Sequence, residues 1–243
     1  MATADVLKPD YASERKHFIF TDEHDQLRES IRRFVIKELQ PHAEEWEETT
    51  FPDWVFERMG ELGFLGLDKP EAYGGQGGDY YTSLVLAEEM AHAHCGGLAM
   101  GVAVQTDMAM PPILAFGTEE QKQTWAAPAI AGKAILAIGI TEPDAGSDVA
   151  GIKTRAVRDE ATGEYVINGS KTFITNGHRA HAIVLVTKTD PEAGHGGLTL
   201  FLVPMDLPGV IREKRLKKLG MQDRKSTRLN SSHSDLSRMP SSA

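Results

Sequence analysis

The sequence has very little cysteine and no excess of basic side chains. Cys95 is the only cysteine among 243 residues, so the chain can form no internal disulfide and offers no CxxC or Cys/His metal pattern. A single cysteine favours a reducing compartment. Lysine and arginine number 26 against 35 aspartates and glutamates, which gives a net charge of −9. A general nucleic-acid-binding role is therefore not expected, because phosphate binding normally requires a basic surface.

The N-terminal residues lack the features of a targeting signal. Acidic side chains stand at Asp5, Asp10 and Glu14, and this stretch contains no continuous apolar core. These features argue against a secretory signal and against a mitochondrial transit peptide. No apolar run approaches the length needed to span a bilayer. We therefore expect a soluble, cytoplasmic protein with no membrane span.

The periodicity of the apolar residues changes once along the chain. After a polar lead-in over residues 1–20, residues 21–133 carry apolar side chains at helical spacing, beginning after a helix N-cap at Thr21. Residues 134–221 instead form short runs rich in β-branched side chains, such as AIVLVTKTD and LTLFLVPM, with turns between them. This order predicts an α+β fold, in which an all-helical N-terminal domain precedes an antiparallel β-barrel-like or sandwich domain.

The last 22 residues, 222–243, differ in composition from the rest of the chain. They contain seven serines and have neither a helical nor a strand period. We expect this tail to be disordered and to be non-native, the product of a truncated reading or a junction artefact.

The segment TEPDAGSD, Thr141 to Asp148, has the most distinctive chemistry in the chain. It follows the apolar run AILAIGI and forms a turn constrained by Pro143 and Gly146. Such a turn exposes backbone N–H groups beside the hydroxyls of Thr141 and Ser147, and these donors could hold an anionic or carbonyl-rich ligand. From the residues alone, an ordinary β-turn with an Asp or Ser cap remains the simpler interpretation.

Several ordered motifs resemble those of the acyl-CoA dehydrogenase family. TEPDAGSD resembles the family's aliphatic-x-aliphatic-TEPxAGSD signature, and NGSKTFITNG (Asn168 to Gly177) resembles its second signature at the right separation. Further segments that match are Pro70–Asp79, Phe116–Lys133 and Lys218–Met221. The resemblance covers residues 18–221 and is greatest to the long-chain branch. It implies the helical and middle β domains, with the C-terminal helical domain missing.

The resemblance implies FAD as the cofactor. The first signature would meet the flavin ring through Ile138, Ile140, Thr141 and Ser147. The second signature would contact it through Phe173, Ile174 and Thr175. Many family members have tryptophan where this chain has Phe173, which keeps the ring-packing role with a smaller ring and no indole N–H.

The resemblance also implies the reaction and its partners. Family members remove the α-proton of a fatty acyl-CoA with a glutamate while the β-hydrogen leaves as hydride to the flavin. Substrate contacts would fall at Ser147 and, beside Lys188, at Thr189. The glutamate belongs to the missing C-terminal part, so no catalytic base is assigned here, and Glu142 is expected to be structural. The partners would be fatty acyl-CoA and an electron-transfer acceptor flavoprotein, and the full-length form would be a homodimer or homotetramer.

Other functions are compatible with the same sequence. An acyl-CoA oxidase or a flavin monooxygenase could use the same scaffold, and a non-catalytic fragment is the alternative outside enzymes. Without a C-terminal domain we expect poor FAD binding, aggregation and no dehydrogenation.

No metal site is expected. The remaining candidates are interpreted as packing, turn and surface residues: His92, His94 and Cys95; Gly74–Gly78; and the basic run Arg212, Lys214, Arg215, Lys217 and Lys218.

Overall fold

The N-terminal half of the chain is helical. A computed structural model describes residues 17–215, 224–231 and 237–238. The first helix begins where the sequence predicts, because the Thr21 hydroxyl accepts a hydrogen bond from the backbone N–H of His24 as an N-cap. The α-helices are α1 (Asp22–Phe34), α2 (Ala43–Glu48), α3 (Trp54–Glu61), α4 (Tyr80–Met90), α5 (Gly96–Ala103), α6 (Met110–Phe116), α7 (Glu119–Gln121) and α8 (Ala127–Ile130).

Wider π-helical turns continue three of these helices. They span Val35–Leu39 after α1, Val104–Ala109 between α5 and α6, and Lys122–Ala126 between α7 and α8. Pro41 then starts a short 3₁₀ turn, Gln40–His42, and so ends the first helical stretch as its missing N–H requires. The other 3₁₀ turns are Phe64–Gly66, Glu71–Tyr73, Ala91–Ala93, Val149–Gly151 and Gly194–Gly197.

The C-terminal half is a single sheet. The strands are β1 (Leu136–Gly139), β2 (Arg155–Arg158), β3 (Tyr165–Thr175), β4 (Ala182–Lys188), β5 (Leu198–Pro204), β6 (Val210–Arg215), β7 (Arg224–Ser231) and β8 (Ser237–Arg238). Their hydrogen-bonded order is β6-β7-β3-β2-β4-β5-β8, and β1 pairs with β4 off this path.

The α+β order is confirmed and most ladders of the sheet are antiparallel as expected, but two pairings are parallel, so the sheet is mixed. β1 runs parallel to β4 over four residue pairs, and β2 meets β4 in parallel through Arg155 and Lys188. The long connection between β1 and β4, which contains β2 and β3, brings the chain back in the same direction. Strand composition predicted the strands but not this crossover, because parallel and antiparallel neighbours use the same residue types.

Part of the expected disordered tail is a strand. β7, Arg224–Ser231, lies between β3 and β6 and pairs antiparallel with both. The expectation of disorder is wrong for these residues, because a polar segment can complete a ladder through its backbone at the open edge of β3. Residues 222–223, 232–236 and 239–243 lie outside the described residues. The non-native origin of the tail stays a hypothesis, which sequencing of the source DNA through Gln222 would test.

The two halves share a hydrophobic core. One cluster lies within the helical domain and another within the sheet. A third joins them, because Met110 and Ile113 of α6 pack with Leu136 of β1 and Val184 of β4. The helical domain is therefore packed directly on the sheet beside the strand that leads into TEPDAGSD.

The longest apolar helical stretch runs through this shared core. Gly96–Phe116, 21 residues, is long and apolar enough to cross a membrane by length and composition alone. This differs from the expectation that no run approaches that length, since the polar residues Gln105, Thr106 and Asp107 hide it in the sequence. Half of the most apolar part of this stretch is buried inside the structure, and buried core helices can have the same length and composition.

Candidate functional site

The two signature segments lie side by side. The backbone N–H of Thr172, in β3, donates a hydrogen bond of 2.8 Å to the carbonyl of Thr141. Beyond Thr141 the chain turns tightly, and Glu142 and Ala145 exchange backbone hydrogen bonds of 2.8 and 3.3 Å. The turn TEPDAGSD is thus attached to the strand that carries KTFITNG, as a shared ligand site requires.

A buried ion pair joins the same two segments. The Lys171 ammonium is fully buried, and its Nζ lies 2.8 Å from Glu142 Oε1 and 2.9 Å from the Ile140 carbonyl oxygen. Glu142 also accepts hydrogen bonds from the backbone N–H groups of Lys153, at 2.6 Å, and Thr154, at 3.0 Å. Both carboxylate oxygens are therefore occupied, as expected of a structural residue.

The ionisation of this pair follows from burial and from its donors. Burial by itself would raise the pKa of Glu142, but hydrogen bonds from Lys171, Thr154 and the backbone of Lys153 hold it below its usual value. Burial lowers the pKa of Lys171, and the Glu142 carboxylate opposes that shift. Glu142 is thus stabilised as an anion and is poorly suited to take a proton from a substrate.

Phe173 projects from the sheet in a strained backbone conformation. Its φ is +58°, a left-handed value that is costly for a large side chain, and its side chain is 52% exposed. The cause is a β-bulge, since β3 advances from Lys171 to Ile174 while β7 advances only from Thr227 to Lys225. Strain of this kind, about 1 kcal/mol, concentrates at ligand-contacting positions.

The other second-signature residues are less accessible. Ile174 packs in the sheet's core cluster with Ala137 and Ile167, so any ligand contact from this position would come from its backbone. Thr175 is also buried. Asn176 then adopts a φ of +63° and ends the strand.

The first-signature residues are partly open. Ile138, Ile140 and Thr141 are half-buried, whereas Ser147 is exposed in the turn. Within the part of the chain that the structure describes, no group hydrogen-bonds to the backbone N–H of Gly146 or Ser147. A Cβ built on Gly146 meets no atom within 4 Å. The turn with its free donors is bonded through Thr141 to the strand that carries the exposed Phe173 ring, and together they fit the polar edge and the flat face of a flavin.

Thr189 lies at the end of the β4–β5 hairpin and not in the signature turn. Its hydroxyl is 2.7 Å from that of Thr199. Lys188 donates its backbone N–H to the Thr154 carbonyl, at 2.8 Å, so this hairpin is tied to the segment that follows the turn. Of the two proposed substrate contacts, Ser147 therefore lies in the first signature itself, whereas Thr189 lies outside both signatures at the end of β4.

The remaining candidates have local roles. Cys95 is buried, which raises the pKa of its thiol to about 11. His94 is exposed at a left-handed position, and no cluster of three metal-ligating side chains occurs among the described residues. Gly74–Gly78 is a hydrogen-bonded turn. From the basic run, Arg212 donates to the carbonyls of His178 and Ala180, at 2.9 Å each. Lys217 and Lys218 lie outside the described residues.

Two buried polar residues were not singled out from the sequence. Lys171 and Asn176 both lie inside NGSKTFITNG, where the resemblance assigned roles only to Phe173, Ile174 and Thr175. A signal was present, because lysine is unusual between apolar positions that face a core. Its partner, 29 residues earlier, could not be identified from the sequence.

Comparison with known proteins identifies the family of this chain. The N-terminal domain model of the acyl-CoA dehydrogenases matches residues 21–133, and the middle domain model matches residues 137–233, beyond Met221 where the motifs end. The long-chain specific acyl-CoA dehydrogenase of Sus scrofa mitochondria is 39% identical over 208 residues, covering 84% of this chain and 47% of that protein. The chain thus spans about half the length of such relatives.

Solved structures agree with the sequence matches. The acyl-CoA dehydrogenase of Geobacillus kaustophilus is 38% identical with a TM-score of 0.83, covering 93% of this chain and 58% of that one. A Bacillus anthracis acyl-CoA dehydrogenase complexed with FAD is 32% identical with a TM-score of 0.81, covering 90% of this chain and 37% of that one. Members of the family are FAD-binding flavoproteins. The chain belongs to the acyl-CoA dehydrogenase family, of which it carries the N-terminal helical and middle β domains.

Proposed function

We propose that the edge formed by Ile138–Ser147 and Phe173–Thr175 is one side of a flavin site. The whole protein to which these two domains belong would catalyse FAD-dependent α,β-dehydrogenation of fatty acyl-CoA thioesters. The observation that carries this proposal is the exposed, left-handed Phe173, on the strand to which the open signature turn is bonded. An exposed aromatic ring in a strained backbone conformation is typical of a ligand-contacting position, and a flavin offers a flat surface for that ring.

In this proposal each residue acts through binding and orientation. The Phe173 ring packs on the flavin, and the Gly146 and Ser147 N–H groups, with the Thr141 hydroxyl, donate to its polar edge. The half-buried side chains of Ile138 and Ile140 exclude water from the strand beneath. The proposed contacts of Ile174 are through its backbone, and those of Thr175 through a hydroxyl near the flavin.

Bound FAD would supply the hydride acceptor for the reaction. The donors of the turn would orient the substrate thioester at Ser147, with a looser contact at Thr189. No described residue of this edge is proposed as the base, since both Glu142 oxygens are already hydrogen-bonded. The proton-accepting glutamate is proposed to lie outside these two domains, so this chain alone is expected to bind FAD weakly and not to turn over.

The partners follow from the same proposal. They are a fatty acyl-CoA as substrate, an electron-transfer flavoprotein as acceptor, and further copies of the full-length chain in a dimer or tetramer. A cytoplasmic location is proposed because a chain with a single cysteine suits a reducing compartment. Fractionation of cells that express the natural protein would test that location.

The flavin site is tested by titrating the purified chain with FAD. Binding is followed by quenching of flavin fluorescence and by the visible circular dichroism that a flavin acquires in a chiral site. We expect weak, saturable binding by the unaltered chain and weaker binding by Phe173→Ala.

A matched control is Val157→Ala, which truncates another exposed apolar side chain of the sheet outside the signatures. We expect this variant to bind FAD like the unaltered chain. No flavin signal from the unaltered chain at saturating FAD, or equal binding by Phe173→Ala, would overturn the proposal.

A further inference from the structure

We propose that the buried Lys171–Glu142 ion pair is a positioning device that holds the two flavin-facing segments in a fixed relation. The connection that the ion pair makes between the two segments does not depend on the proposed function, whereas its effect on FAD binding rests on that function. Lys171 and Glu142 would be positioning residues, since they act through Ile140, Thr141 and Phe173.

The Lys171 ammonium contacts residues on both sides of Thr141, in the segment Ile140–Glu142 that is the entry of the signature turn. Its Nζ contacts the carbonyl of Ile140, just before Thr141, and the carboxylate of Glu142, just after it. The backbone bond from Thr172 to the Thr141 carbonyl lies between these two contacts. Three consecutive residues of the turn's entry are thus tied to two consecutive residues of β3.

Glu142 extends this connection to a third segment. Its carboxylate accepts from the backbone N–H groups of Lys153 and Thr154, which lead into β2. The turn residues between Glu142 and Lys153 therefore have both of their ends attached to one carboxylate. This attachment fixes the loop that carries Ser147 and leaves the loop itself open to a ligand.

Lys171 also lies at the start of the bulge that projects Phe173. The register between β3 and β7 shifts immediately after Lys171. A lysine anchored on the opposite segment determines where the strand departs from regular pairing, and so where the ring two residues later points. An apolar pair could fill the same volume, but it would leave the Ile140 carbonyl without this donor.

The experiment compares two buried ion pairs in the chain without ligand. Lys171→Met keeps an unbranched apolar side chain as far as the ε carbon and removes the ammonium. Glu89→Gln is the matched control, because Glu89 is also fully buried and binds Arg28 and Arg32 between α1 and α4. Amide hydrogen exchange read by mass spectrometry reports where each variant loosens the fold.

For Lys171→Met we expect faster exchange in peptides covering residues 138–154 and 171–177, with residues 22–90 unchanged. For Glu89→Gln we expect faster exchange in α1 and α4 only. Unchanged exchange over residues 138–154 in Lys171→Met, or a rise spread evenly over the chain, would overturn the proposal. If Lys171→Met does not fold, Glu142→Gln is the milder variant, and the same two outcomes decide.

FAD binding gives the functional arm. Replacing a residue that positions ligand-contacting groups commonly changes the ligand affinity by about tenfold. Lys171→Met should therefore weaken FAD binding by about that factor and alter the visible circular dichroism of the bound flavin. Glu89→Gln should change neither. Equal FAD affinity in Lys171→Met and the unaltered chain overturns the positioning role, whereas no binding by the unaltered chain overturns the proposed flavin site and leaves the exchange result to judge the geometry.

Discussion

The side-chain amide of Asn176, at the end of β3, donates a hydrogen bond of 2.9 Å to the backbone carbonyl of Gly101 in α5. The same amide nitrogen lies 3.3 Å from the carbonyl oxygen of Leu136 in β1. One side chain thus links the end of the second signature to the helical domain and to the strand that leads into the first. The carbonyl oxygen of the Asn176 side chain is buried and has no hydrogen-bond partner among the described residues.

Two substitutions of Asn176 should separate the contribution of its side-chain amide to stability from the cost of its left-handed backbone. Asn176→Gly keeps the left-handed backbone and removes the donor, so we expect a loss of about 1–3 kcal/mol in the free energy of unfolding. Asn176→Ala should lose about 1 kcal/mol more, because alanine resists a φ of +63°. Urea denaturation at neutral pH measures both. Equal stability of the two variants would show that the left-handed backbone carries no cost here.

Gly101 should tolerate no side chain. A Cβ built there lies 2.6 Å from Cζ of Phe51 and 3.1 Å from Oδ1 of Asn176. Gly101→Ala should therefore lower the free energy of unfolding by about 1–3 kcal/mol through overpacking. Gly96→Ala, in the same helix, is the control, because its nearest contact is Glu47 Oε1 at 3.8 Å. Thermal unfolding should rank the control at or above the unaltered chain, and a stable Gly101→Ala would contradict this prediction.

Phe173 should show opposite effects on stability and on binding. Phe173→Gly removes the strain of the left-handed backbone, so the free energy of unfolding should rise by about 1 kcal/mol while FAD binding weakens. Phe173→Ala loses the ring but retains the strain, so it should weaken binding without that gain. Urea denaturation and FAD titration of the two variants together test the idea. A Phe173→Gly variant less stable than Phe173→Ala would refute it.

Glu142 should make stability sensitive to acid. Its pKa is lowered in the folded chain, so on acidification the unfolded chain binds this proton first and stability falls. The contribution is complete above the ordinary value of 4.5 and is lost as the pH drops through the lower folded pKa. Urea midpoints at a series of pH values from neutral to acid should fall less steeply for Glu142→Gln than for the unaltered chain. Parallel pH profiles would exclude Glu142 as the source.

The site was only partly predictable from the sequence. The motifs located the turn and the strand, and the absence of free oxygens on Glu142 agrees with the structural role expected for it. Exposure was not predictable in the same way. Ile174 and Phe173 are neighbours of similar hydrophobicity, and which of them faces the core depends on the register of β3, which shifts at the bulge opposite β7.

Local sequence was enough to place the first helix start and the order of the two domains, because caps, prolines and apolar periods act between residues a few positions apart. The capping boxes at Thr21 and Thr118 and the interruption at Pro41 are of this local kind. Tertiary structure alone decided the parallel β1–β4 pairing, the strand formed by Arg224–Ser231 and the burial of Lys171 against Glu142. Each of these depends on which distant segment lies alongside, and backbone pairing and ion-pair burial are set by that neighbour and not by the local residues.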